Sequence, residues 1–136
     1  MRPNIRRSLL IAVFALVSCA RQADKQKQVG QSFDRYMAAW ERNDRKAVWS
    51  LMSTRAREGS DNSEARFEND RETPDVRVLG HTTKKITVSG DHATIEADVR
   101  FSADWGRMHG RELERFQFVR ENGNWFFDDQ TPVNPA

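Results

Sequence analysis

Cysteine is almost absent: Cys19 is the only one in 136 residues. No intrachain disulfide can form, so packing alone must hold the fold. Histidine is sparse too. His81, His92 and His109 show no HxxxH or comparable ligand spacing, so no metal and no cofactor is expected. The glycines make no phosphate-cradling loop, and no serine sits in a nucleophile elbow. Long apolar runs are missing as well. The longest, Leu9 to Val17, falls well short of the ~20 residues that a spanning helix needs. There is no internal repeat and no low-complexity tract.

What is present is concentrated at the start. Arg2, Arg6 and Arg7 precede the apolar run, and the run closes on Leu16-Val17-Ser18-Cys19. A basic region, a short apolar region and a small-residue cleavage site make a secretory signal peptide over residues 1–18. With Cys19 at its end, the segment resembles a bacterial lipoprotein signal with its lipobox. The resemblance implies cleavage before Cys19, and acylation of its thiol and new amino group with palmitate-type chains. One acyl chain anchors only marginally, whereas several together hold firmly. The expected location is therefore the cell envelope, with the protein exported and lipid-anchored. Ala20 follows the cysteine rather than aspartate. In a Gram-negative cell that implies the outer membrane, facing the periplasm.

Removing the signal changes the charge. The chain has 22 basic and 20 acidic residues. Residues 1–18 hold three arginines and no acid, which leaves 19 basic against 20 acidic, net −1. The basic character belongs to the targeting segment, so no nucleic-acid partner is expected. The remaining length suits one domain with a core of its own.

Residues 19–28 read as an acylated cysteine and polar tether, or as the solvated first turns of a helix. Fully extended, the polar stretch Arg21 to Gln28 would reach at most about 25–30 Å. From Val29 a helical period begins, with Val29, Phe33, Tyr36, Met37 and Trp40 on one face. Asn43-Asp44 interrupts it and can cap a second helix carrying Ala47, Val48, Leu51 and Met52. The charged segment Arg57 to Arg71 reads as a solvated loop with a short helix around Ser63–Asn69, anchored by Phe67. Thr73-Pro74 ends it, because proline disfavours helix before itself.

The rest reads as β. Val76–His81 and Lys84–Ser89 form one long or interrupted strand. Ala93–Ser102, Glu112–Arg120 and Trp125–Asp129 follow. A two-residue Gly90-Asp91 turn would set Lys85 opposite Glu96 and Ile86 opposite Ile95. One face then takes Ile86, Val88, Ile95, Ala97, Val99 and Phe101, and the other takes Lys85, Thr87, Thr94, Glu96 and Asp98. Asn122-Gly123 suits a type I′ turn, which needs positive φ twice. It sets Arg120 opposite Trp125 and Phe118 opposite Phe127. Phe116, Phe118, Trp125 and Phe127 would then line the face that packs on the helices.

Two helices, a variable segment and a long antiparallel sheet ending in Glu121-Asn122-Gly123-Asn124-Trp125-Phe126-Phe127-Asp128 resemble the nuclear transport factor 2-like superfamily, which includes ketosteroid isomerase. The residues that carry the resemblance are Phe33–Trp40, Val48–Met52 and the last hairpin. It implies an α+β, cone-like domain over residues 29–136, with two or three N-terminal helices packed on a curved sheet. Enzymes of the superfamily place an acid or base inside the cone. Many other members bind small ligands, serve as dimerisation modules, or have no assigned role.

The register places Glu114 and Asp129 near Phe116 on the helix-facing side, with Tyr36 able to approach from the first helix. A carboxylate in an apolar cavity has a raised pKa, which suits acid–base work. The preferred reading is plainer: both carboxylates sit in water at frayed strand ends, where Arg111, Arg115 or Arg120 could pair with them. Trp40, Trp49 and Tyr36 read as core or pocket lining. The loop Trp105-Gly106-Arg107-Met108-His109-Gly110 holds residue types common at contacts, above all Trp105, Met108 and His109. It is a partner-binding tip or ligand lip, or else a plain turn with Trp105 folded back on the sheet. The functional expectation is a non-catalytic, membrane-anchored lipoprotein that binds a small apolar ligand or an envelope protein. The alternatives are an isomerase- or dehydratase-like enzyme using a carboxylate in the cone, and an assembly or dimerisation module with an exposed sheet face; Val119 and Phe126 make that face less polar.

Overall fold

The computed structural model describes residues 5–69 and 76–133. Thr73-Pro74 lies outside them. Helix α1 spans Ile5–Glu41 without a break, so the polar stretch after Cys19 is helical. That stretch has no apolar face, yet it is docked. Gln22 Nε2 donates to the Val88 carbonyl at 2.9 Å and Gln26 Nε2 to the Ile86 carbonyl at 3.4 Å. Glutamines four apart share a helix face. Gly30 continues that face, and a Cβ there would lie 3.3 Å from Ile86 Cδ1. No helix among the described residues is long and apolar enough to cross a membrane.

Helix α2 (Arg45–Ser50) starts on Asp44, whose side chain accepts from the Ala47 amide at 3.0 Å, as the cap reading predicts. Asn43, at φ 53, makes the turn before it. Helix α3 (Thr54–Gly59) was not expected. Ser53 caps it by accepting from the Ala56 amide at 3.1 Å. Helix α4 (Glu64–Asn69) falls where the short helix was expected, with Phe67 packed on Trp40 and Trp49.

Four antiparallel strands follow in simple order: β1 (Arg77–Ser89), β2 (His92–Ala103), β3 (Met108–Glu121) and β4 (Asn124–Pro132). Both turn-derived registers are observed. Ser89 pairs with His92, Ile86 with Ile95, Phe118 with Phe127 and Arg120 with Trp125. Asn122 and Gly123 have φ 50 and 83, the double positive φ of a type I′ turn. Bulges between Val78 and Gly80 and between Thr83 and Lys85 explain why β1 read as interrupted.

The core lies between α1 and the sheet. Val29, Phe33, Tyr36, Met37, Ile95, Phe116 and Phe118 are buried there. The rings interlock: Phe33 meets Phe116 at 4.9 Å between centroids, and Tyr36 stacks on Phe127 at 4.5 Å and 8°. Each such side chain contributes about 1.5–3 kcal/mol on burial. Trp40, Trp49 and Tyr36 therefore belong to packed aromatic clusters.

The connection from α2 to α3 is stitched to β4. The Phe127 amide donates to the Leu51 carbonyl, and the Ser53 amide to the Phe127 carbonyl. A bulge in β4 adjoins this seam: Phe118 pairs with Phe127, but Gln117 pairs with Asp129.

Candidate functional site

Alternation along β3 sends Glu112, Glu114, Phe116 and Phe118 toward the helices. Glu114 is buried, at 8% exposure. Burial, a hydrogen bond shared with Glu112 and the Glu112 charge push its carboxyl up from the usual range, while a hydrogen bond with Gln130 pulls the other way. The two carboxyls lie two residues apart on one strand face, Glu114 buried and Glu112 exposed. Among the described residues no group of three or more His, Cys, Asp or Glu side chains is placed to hold a metal ion.

The remaining sequence candidates do not join this pair. The β4 bulge shifts the alternation, so Gln130 rather than Asp129 lies opposite Phe116. The expectation that Asp129 shares the helix-facing side is corrected accordingly. Its side chain is half-exposed, 3.9 Å from Arg55 Nη2. Tyr36 is buried and receives a hydrogen bond from Trp40; burial, the larger effect, drives its pKa far upward. The proposed arginine partners lie elsewhere. Arg115 pairs with Glu96 at 3.1 Å, Arg111 lies opposite Arg100, and Arg120 lies opposite Trp125 at the far end of β3.

Two polar constellations were missed by sequence reasoning. In the first, Ser53 Oγ donates to Asp128 Oδ1 at 2.6 Å, and Arg55 forks onto both oxygens of that carboxylate at 2.6–3.2 Å. Burial alone would raise the Asp128 pKa. The hydrogen bonds from Arg55 and Ser53, with the charges of Arg55 and His92, outweigh it and hold the carboxyl below its ordinary range. Thr54 adds two 3.0 Å bonds to Glu121. In the second, His81 Nδ1 lies 2.9 Å from Glu41 and Nε2 lies 3.0 Å from Asp34, with the ring edge-on to Phe33. Asp34 and Glu41 are seven residues apart and so share a helix face, a signal that was available. Both constellations join elements, the first β4 to the start of α3 and the second β1 to α1.

The loop between β2 and β3 is different in kind. Asp104, Trp105 and Gly106 have φ 50, 56 and 82, three left-handed residues in a row. Trp105 is 78% exposed and Met108 62%. Trp105 is not folded back on the sheet. A bulky side chain at positive φ is an uncommon, strained arrangement, and such strain concentrates at functional positions. His109, opposite Ser102, is exposed beside them.

No family model matches the chain, and no curated protein matches it. Solved structures do. A nuclear transport factor 2-like protein of unknown function from Shewanella baltica is 13% identical with TM-score 0.52, over 82% of this chain and 97% of that one. A ketosteroid isomerase-like protein from Erwinia carotovora atroseptica is 15% identical with TM-score 0.54, over 82% and 98%. An LEH-like epoxide hydrolase of M. tuberculosis is 9% identical with TM-score 0.56, over 80% and 85%. At these identities the likeness concerns the fold alone. The chain has the nuclear transport factor 2-like fold: N-terminal helices packed on a four-stranded, curved antiparallel sheet.

Proposed function

We propose that this protein is an exported lipoprotein, held in the cell envelope through acylated Cys19, whose domain binds a protein partner through the β2–β3 tip and performs no catalysis. The observation that carries the binding role is the tip itself, where Trp105 stands in solvent on a left-handed turn and Met108, the first residue of β3, is exposed close by. Tryptophan, methionine and arginine are enriched at protein interfaces, and all three occur in Trp105-Gly106-Arg107-Met108. The ring contacts of Phe33 with Phe116 and of Tyr36 with Phe127 between α1 and the sheet favour a protein partner over a small apolar ligand inside the cone. The test is photo-crosslinking in intact cells, with a benzophenone amino acid at position 105 or 108, or at the exposed Gln117 on β3 as control. A discrete adduct from 105 and 108 and none from 117 is expected. Adducts absent everywhere, or equal at all three positions, contradict the reading.

A second reading rests on the Glu112–Glu114 pair. A buried carboxyl with a raised pKa can act as a general acid or base, as the isomerase- or dehydratase-like alternative requires. Its weak point is geometric, because Tyr36 and Asp129 supply no further group to the pair.

A further inference from the structure

The docking of α1 has a consequence for how the domain would stand on a membrane. Contacts between α1 and β1 advance in step and in opposite directions. Gln22 reaches Val88, Gln26 reaches Ile86, and Asp34 and Glu41 both reach His81. The helix is thus tied along the length of the strand, starting three residues after Cys19. Only Cys19-Ala20-Arg21 precedes the first tie, a span of at most about 10 Å if fully extended. A free tether over residues 19–28 would span about 33 Å.

Cys19, three helical residues or about 4.5 Å before Gln22, is therefore about level with the end of the sheet that carries the Gly90-Asp91 turn. The second hairpin turn is at the same end: His92 pairs with Val119, and the Arg120 amide donates to the Asp91 carbonyl at 2.8 Å. The tip Asp104–Arg107 is at the opposite end, eleven residue steps along β2 and thus roughly 35 Å away. The two ends also differ in chemistry. The end near Cys19 presents Ser89, Asp91, His92, Asn122 and Asn124, all polar and exposed. The other end carries the exposed Val76, Leu79, Trp105 and Met108.

We infer that the domain is held upright on the lipid surface by α1, with the Gly90-Asp91 and Asn122-Gly123 turns against the headgroups and the Trp105 tip directed away. The polar turns suit contact with headgroups and carry nothing that would insert into the acyl region. The apolar tip is out of reach of the anchoring membrane, so it is available to a partner and does not serve as a membrane wedge. This inference rests on anchoring through Cys19.

The four tryptophans make the test possible without new labels in the fold. The protein is labelled with 5-fluorotryptophan, extracted from membranes, and placed in lipid nanodiscs containing a gadolinium headgroup lipid. Single Trp→Phe variants assign the fluorine resonances. The Trp125 signal, beside the Asn122-Gly123 turn, should broaden several-fold more than that of Trp105. A ten-residue Gly/Ser insertion after Arg21 should abolish the difference. Equal broadening without the insertion, or stronger broadening at Trp105, overturns the orientation. Failure of the anchoring itself is read separately, as an intact mass without acyl chains. In that case the chain beginning at Cys19 is coupled through its thiol to a maleimide lipid, and the same two resonances decide the orientation.

Discussion

Replacing Trp105 with glycine separates a binding residue from a structural one. Trp105 is 78% exposed and sits at φ 56. The covered fifth of a side chain of this size is some 50 Å², worth about 1 kcal/mol. Glycine removes that contact and adds about 0.5–1 kcal/mol of backbone entropy cost. It also relieves the left-handed penalty, about 1–2 kcal/mol for an L-residue. These effects nearly cancel, so Trp105→Gly should leave stability within about 1 kcal/mol of wild type, a Tm shift of at most about 5 °C. Truncation of a buried tryptophan would cost about 3–5 kcal/mol. Trp125→Ala supplies that comparison, since Trp125 is 4% exposed. The assay is urea or thermal unfolding of both variants, with the crosslinked adduct from position 108 as the functional readout. The expected result is a near-wild-type Trp105→Gly that loses the adduct. A loss of more than about 2 kcal/mol in Trp105→Gly would refute the reasoning, because the ring would then be a structural anchor.

Other perturbations follow from the same geometry. Asp128→Ala leaves the buried Ser53 hydroxyl without its acceptor and should cost about 1–3 kcal/mol near neutral pH. Because the folded Asp128 pKa is lowered, this contribution is present above the unfolded value near 4 and is lost as pH falls through the folded one. The gap between variant and wild type should therefore close in acid denaturation curves. Glu114 has the opposite sign. Its folded pKa is raised, so its charged form opposes folding at neutral pH and its protonated form does not. Glu114→Gln should raise Tm at pH 7, and the gain should vanish below about pH 4, where the carboxyl is protonated in both states. A Cβ at Gly110 would collide with the Phe101 ring lying over it. Gly110→Ala should cost about 1–3 kcal/mol, measured by urea unfolding.

How much of this was legible depended on how local its cause was. Gly90-Asp91 and Asn122-Gly123 fixed two registers because a two-residue turn leaves one pairing open. The β4 bulge was not legible. It adjoins the seam in which Leu51 and Ser53 bond to Phe127, residues distant in sequence. That one inserted residue separated Asp129 from Glu114. Glu112 could have been read by the same alternation that exposed Glu114, since the two are two apart on one strand. The helix through Arg21–Gln28 has no apolar period because amide hydrogen bonds to β1 fix it there, and these leave no hydrophobic mark. Helix α3 was hidden by its charge, although Ser53 ahead of Ala56 is a capping signal. The His81 clamp needs α1 aligned against β1, which no local pattern reveals. The exposure of Trp105 stood as one of two readings until the three consecutive positive φ values chose between them.

The most direct test of the anchoring claim is the intact mass of the protein recovered from bacterial membranes, set beside that of Cys19→Ser. The account predicts a membrane-bound chain that begins at Cys19 and carries several acyl chains, and a Cys19→Ser variant that leaves the membrane fraction while keeping its Tm. A chain with an unmodified Cys19 thiol, or a variant that stays fully membrane-bound, would contradict it.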